Sequence, residues 1–455
     1  MKSDDLVHAI GEIDDDLILQ ADAPPKKTNA FRGWKRWGTV AACFVLLFAI
    51  LFPLGIRLAK RNAVGQGVTY DLMEGIVPRQ RSGIPAPITN DAATAATDFS
   101  VRLFREAYDG NNTLISPLSA MLALAMTANG AKGKTLSQME SAFGMSLDDL
   151  NEFFYSYRTG LMQTEKCKLA LANSIWLRDG FDVQSAFLQT NADYYGADAF
   201  ATPFDKSTIR RINEWANEKT DGMIPELIDS ISPYTVLYLI NALSFDAEWS
   251  YPFPSDATES GEFTIEDGKT VKVDYMNGNS IGNYIFNEQA QGLVKNYKGS
   301  YYSFVALLPN ESVSLADFVA SLNAETLRTL LAQYNTTILH AKLPKFEIEY
   351  TVELSDVLEK MGMIDAFNSA ADFSGIGDTT DGSGVYISSV LQKTFLSMNE
   401  KGTRAGAATG VNVSVKSTKP PEEVTLQFTR PFVYLLVDTR NNLPLFIGTL
   451  NDPTK

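Results

Sequence analysis

Side chains able to do acid–base or metal chemistry are few in this chain. Its 455 residues include two histidines, His8 and His340, and two cysteines, Cys43 and Cys167. Histidine is the commonest general base near neutral pH. His8 falls in an acidic N-terminal stretch, so His340 is the one candidate in the main body, and its place at the end of an apolar strand pattern suits a structural role. No GxSxG, HExxH or phosphate-loop pattern occurs. The two cysteines make no disulfide framework, and no CxxC pair is present for zinc. An enzyme is therefore not expected, nor is a metal or cofactor.

A different capability is written near the C-terminal end. Side chains of a strand alternate faces. Every second residue from Thr403 gives Thr403, Ala405, Ala407, Thr409, Val411, Val413 and Val415, all small or β-branched and suited to a buried sheet face. The other set is Arg404, Gly406, Ala408, Gly410, Asn412, Ser414 and Lys416, polar or tiny as an outward face requires. Gly402, Gly406 and Gly410 weaken a permanent strand, while the valine alternation argues against a structureless linker. The stretch can join a sheet without having to live in one.

The rest of the chain must supply that sheet. A hydrophobic content of 45% is that of a folded protein, and the net charge of −15 argues against nucleic-acid binding, which needs basic surface. From about residue 91 the pattern is dense to the end. Helical spacing marks residues 92–108, 117–129 and 208–219, the last with Ile209, Ile212, Trp215 and Ala216 on one face. Near-continuous apolar runs at 235–245, 302–308 and 432–438 read as central strands, and 342–350 reads as a strand alternating at its end. Helices early and strands late predict an α+β domain.

The N-terminal region reads differently. Residues 37–56 carry no formal charge between Arg36 and Arg57, long enough to cross about 30 Å of hydrocarbon. Five basic residues before the span against three after it put the N-terminus inside. The expected organisation is a cytoplasmic tail over 1–36, a transmembrane helix over 37–56, a flexible linker over 57–91 and a domain over 92–455 outside the cytoplasm. A cleaved signal, giving a secreted protein, is the alternative.

Several segments resemble serpins. They are NTLISPLS at 112–119, ANSIW at 172–176, INEWANEKTDGMIPELI at 212–228, NALSFDAEWSYPF at 241–253, KLPKFEI at 342–348, NEKGTRAGAAT at 399–409, Pro431-Phe432, and PLFIG at 444–448. Their order and spacing cover residues 93–455. The resemblance, with the N-terminal span, leads to the expectation of a membrane-anchored, prokaryotic member with a large, mostly antiparallel central sheet, further sheets, about eight or nine helices and an exposed reactive-centre loop. It also implies a monomer that acts on a serine protease.

In that reading Glu400, Gly402, Thr403, Arg404, Ala405, Gly406, Ala407, Ala408 and Thr409 form the loop hinge. Counting from Glu400 puts the reactive bond at Lys416-Ser417, and lysine before the cut implies a trypsin-like protease. A shift of one puts Val415 at the cut and favours an elastase-like enzyme. The protease attacks the bond and forms an acyl-enzyme. The cut arm then inserts into the sheet and carries the protease roughly 50 Å, for about 15 residues at about 3.3 Å each. Burying three valines contributes on the order of 5–8 kcal/mol, and ladder hydrogen bonds add about 1 kcal/mol each.

Arg404 departs from the acidic residue common at its position but faces outward, and Gly406 replaces the usual alanine. Ser116, Ser119 and Asn173 resemble the polar cluster that latches the sheet, with Gln392 in place of the usual histidine. Trp249 resembles the buried tryptophan where insertion begins, and equally suits a plain core aromatic. A non-inhibitory tethered binding or signalling serpin is the alternative function.

Overall fold

The computed structural model describes residues 68–81, 83, 85–232, 235–378, 384–403 and 423–455. In chain order its elements are β1 (Tyr70–Asp71), α1 (Asn90–Ala107), β2 (Thr113–Ile115), α2 (Pro117–Ala128), α3 (Gly133–Phe143), α4 (Leu147–Thr159), β3 (Cys167–Arg178), β4 (Asp182–Val183), α5 (Ser185–Thr190), β5 (Asp198–Thr202), α6 (Lys206–Lys219) and β6 (Leu237–Glu248). There follow β7 (Glu259–Thr264), β8 (Thr270–Phe286), β9 (Ala290–Asn296), β10 (Tyr302–Pro309), α7 (Leu315–Ser321), α8 (Ala324–Ala332), β11 (Asn335–Pro344), β12 (Phe346–Glu353), α9 (Ser355–Lys360), β13 (Gly377–Asp378), β14 (Ile387–Asn399), β15 (Gly402–Thr403), β16 (Glu423–Gln427), β17 (Phe432–Asp438) and β18 (Leu443–Leu450).

Local sequence explains the helices that frame the main sheet. The α1 helix starts where Thr89 accepts a hydrogen bond from the Ala92 N–H, and it buries Ala93, Ala96, Phe99 and Leu103. The α2 helix has Pro117 at its first turn and is buried on every side. It packs against β3 and β6 of one sheet and β18 of another, so it needs no polar face. The α6 helix opens with a capping box between Asp205 and Thr208. Its Ile212, Trp215 and Ala216 join Trp176, Phe200, Tyr238 and Ile240 in a second core on the far face of the first sheet.

The main sheet runs β1-β5-β3-β6-β15-β14-β12, and the larger one β16-β11-β8-β9-β10-β17-β18-β2 with β7 beside β8. A two-stranded sheet joins β13 to β4. Most pairs are antiparallel; β3 with β5, β6 with β14, and β11 with β16 are parallel. The α+β expectation holds, with nine α-helices among the described residues.

Two sequence expectations differ from the structure. The run at 342–350 is two strands rather than one. Pro344 ends β11 in the larger sheet, and Phe346 starts β12 in the main sheet. The single-pass membrane placement is also corrected. The apolar stretch at 37–56 lies outside the described residues, and no helix among those described is long and apolar enough to cross a membrane.

Within the stretch expected as a linker, β1 pairs with β5 and forms the edge of the main sheet, Tyr70 opposite Ala201. Both the Arg79 backbone N–H and its guanidinium donate to the Asp193 carboxylate at 2.7 Å.

Candidate functional site

The seam between β6 and β14 sets the site. These parallel neighbours pair directly from Leu237 opposite Ile387 to Ala242 opposite Lys393. Beyond that point their ways part. At the far end the two-residue strand β15 stands between them, antiparallel to both. Thr403 lies opposite Met398 on one side and Ala247 on the other, and Gly402 lies opposite Asn399 and Glu248. Between these two contacts no ladder among the described residues joins Thr394–Ser397 to Leu243–Asp246. The sheet is zipped at one end and wedged at the other.

The wedge rests on an aromatic platform. Trp249 is buried and stacks on Tyr297 at 4.4 Å, with Phe304 edge-on at 5.9 Å. Its indole N–H donates to the Asn399 carbonyl at 3.0 Å, and its backbone N–H to the Lys401 carbonyl at 2.8 Å. The Tyr297 and Thr403 hydroxyls share a hydrogen bond. The Asn399 side chain accepts from the Lys401 and Gly402 N–H groups, closing the turn into β15. Gly402 is required by crowding: a Cβ there would lie 2.0 Å from the Ala247 carbonyl oxygen.

Glu400 ties the turn to its surroundings. Its carboxylate accepts from Thr258 at 2.7 Å and pairs with Lys345 at 3.1 Å. Burial disfavours its charge, but these two partners and a hydrogen bond from its own backbone N–H outweigh burial and hold the carboxyl below its ordinary value.

At the zipped end the polar cluster is assembled. The Ser116 N–H donates to Gln392 Oε1 at 2.7 Å, and Gln392 Nε2 donates back to the Ser116 carbonyl at 2.9 Å. Ser116 Oγ donates to the Leu445 carbonyl at 2.8 Å. Asn241 Nδ2 donates to the Ser119 carbonyl at 2.7 Å and to Asn173 Oδ1. Gln392 Nε2 reaches Asn241 Oδ1 at 3.3 Å. The Ser119 hydroxyl is buried with no partner among the described residues, so that residue joins the cluster through its carbonyl.

Asn241 and Tyr297 are the members that the sequence reading missed. The signal for Asn241 was there: it interrupts an apolar run and faces Asn173 across β3 and β6. Tyr297 carried none, because it follows β9 and reaches Thr403 only through the fold.

The structure brings Glu400, Gly402, Thr403 and Trp249 together at one end of the seam, and Ser116, Ser119, Asn173 and Gln392 at the other. Arg404, Ala405, Gly406, Ala407, Ala408, Thr409, Val415, Lys416 and Ser417 lie outside the described residues. His340 sits on β11 with its Nε2 3.2 Å from the Glu423 carboxylate. No metal-binding cluster occurs among the described residues.

A family model described as Serpin (serine protease inhibitor) matches residues 94–453. This chain belongs to the serpin family. The family is one of serine protease inhibitors, with some non-inhibitory members. The chain is similar to the leukocyte elastase inhibitor of Sus scrofa, 32% identical over 79% of this chain and 99% of that protein. It is 29% identical to Serpin I2 of Homo sapiens over 80% and 92%.

A serpin-like protein of Thermococcus kodakarensis is 30% identical over 82% and 87%; with mammalian proteins matching at similar identity, the relatives do not single out a prokaryotic source. Among solved structures the thermophilic serpin tengpin in its native state matches with a TM-score of 0.80 and 43% identity, over 84% of this chain and 99% of that one. Its latent state scores 0.72 at 44% identity, over 81% and 99%. This serpin therefore has the arrangement nearer the native of those two states.

Proposed function

We propose that this serpin inhibits serine proteases by offering residues 404–422 as bait, trapping the acyl-enzyme and inserting the cut arm between β6 and β14. The observation that carries this reading is the seam. An antiparallel strand fits between two parallel strands, and β15 already does so for two residues. The direct pairing of β6 with β14 occupies the remaining room, so the arm and that pairing exclude each other. Opening the seam gives up one ladder and insertion makes two. At about 1 kcal/mol for each net hydrogen bond, the exchange favours insertion.

The bond attacked is Lys416-Ser417 and the target is trypsin-like. A second reading, a cut after Val415 by an elastase-like enzyme, draws on the likeness to leukocyte elastase inhibitors.

Incubation with trypsin and with an elastase, followed by denaturing gels and mass measurement of the released C-terminal peptide, tests both. A detergent-stable complex and a peptide starting at Ser417 are expected; a peptide starting at Lys416 moves the bond to Val415. Clean cleavage without any complex contradicts inhibition and leaves a non-inhibitory binding role.

A further inference from the structure

One cavity lies beside the seam and takes no part in it. It has a volume of about 750 Å3 and is walled by residues 250–254, β8, β9 with the turn after it, and β11. Sites for small organic ligands fall in this size range, and here polar and apolar groups share the wall almost equally. Leu293, Leu339, Ala341 and the Phe253 ring supply the apolar wall. In a chain of net charge −15, no described residue lining the cavity is acidic, and two are lysines.

The two lysines differ. Lys298 is committed, because its ammonium pairs with Glu248. The Lys295 ammonium donates to the Tyr251 carbonyl at 2.7 Å and lies over the Phe253 ring at 4.1 Å. It has no carboxylate partner among the described residues. An ammonium has three N–H donors, so two remain for an incoming group. Burial pushes Lys295 down to about 7, the direction expected of a cation without a counter-ion. A carboxylate would provide that counter-ion through charge-assisted hydrogen bonds. One uncommitted cation suits a single negative charge, and the apolar wall suits a hydrocarbon or aromatic body.

We propose that this cavity binds a small amphipathic carboxylate, its head group on Lys295 and its apolar body against Leu293, Leu339 and Ala341. The test is titration calorimetry of the full chain with decanoate, and with decan-1-ol as the uncharged control. Saturable binding of decanoate is expected, weakened roughly tenfold or more in Lys295→Met, with the alcohol unaffected by the substitution. Absence of saturable binding, or equal decanoate affinity in the variant, overturns the proposal.

Because Lys295→Met can disturb the wall, a photoreactive diazirine analogue of decanoate is also mapped on the unaltered protein. Adducts in residues 250–254 or 293–300 support the site, and adducts confined elsewhere overturn it. Both readouts are taken without protease, so their failure leaves the inhibitory reading untouched.

Discussion

The two ends of the β6–β14 seam have the same neighbours and opposite designs. The zipped end carries a polar cluster in which Gln392 and Asn241 satisfy backbone groups of the buried helix α2 and of the residue before it. The wedged end carries a glycine pressed on the Ala247 carbonyl and a threonine seated on an aromatic platform. Opening the sheet there would leave these buried backbone and amide groups unpaired at a cost, which makes the first end a closure that resists opening. The second end presents small, tightly seated residues that start an additional strand. In the proposed mechanism, readiness to accept a strand is concentrated at one end and the resistance to it at the other.

That contrast breaks most decisively at Thr403, which is 1% exposed. Thr403→Arg places a charge on an inward face, and the serpin is expected to become a substrate. The moles consumed per mole of protease trapped should rise on the order of tenfold or more, measured by titration of residual protease; an unchanged ratio would show that the wedge is not where insertion starts. Gln392→Ala removes the acceptor of the Ser116 N–H and one of the two donors to its carbonyl and is expected to cost about 2–4 kcal/mol in urea unfolding. The same change should speed conversion to a loop-inserted form on warming. A variant as stable as the parent would remove the closure from the account.

Gly402→Val, clashing with Ala247, should cost about 1–3 kcal/mol and slow complex formation; unaltered inhibition would show that the turn relaxes freely. The smallest effect sharpens the role of Glu400. Its carboxyl is held below its ordinary value, so its contribution is present in full above the unfolded value and lost as pH falls through the folded one. The melting-temperature deficit of Glu400→Gln should therefore be present near neutral pH and shrink as the solution is acidified below the ordinary carboxylate range. A deficit independent of pH would assign it to packing.

Much of this was legible in the sequence because periodicity and likeness agreed. The strand at 432–438 and the helices near 92–108, 117–129 and 208–219 came from apolar spacing, and the structure places them within two residues of those bounds. The resemblance supplied Ser116 and Gln392, which no local pattern distinguishes from other polar residues.

What stayed hidden was non-local. Strand β1 is two residues in a stretch scattered with glycine and proline, too short to show alternation. Its place comes from pairing with β5, far along the chain. The break at Lys345 was hidden because β11 and β12 are both apolar, and only the change of sheet separates them. Tyr297 acquires its role from Thr403, which lies far from it in sequence.

Pinning the seam tests the central claim most directly. Ala242 and Lys393 face each other as the last direct pair of β6 and β14. A disulfide between Ala242→Cys and Lys393→Cys, in a chain with Cys43 and Cys167 replaced by serine, would hold that pair closed. The oxidised protein should be cut in its loop without trapping protease, and reduction should restore the detergent-stable complex. An oxidised protein that traps protease as well as the reduced one would contradict insertion between these two strands.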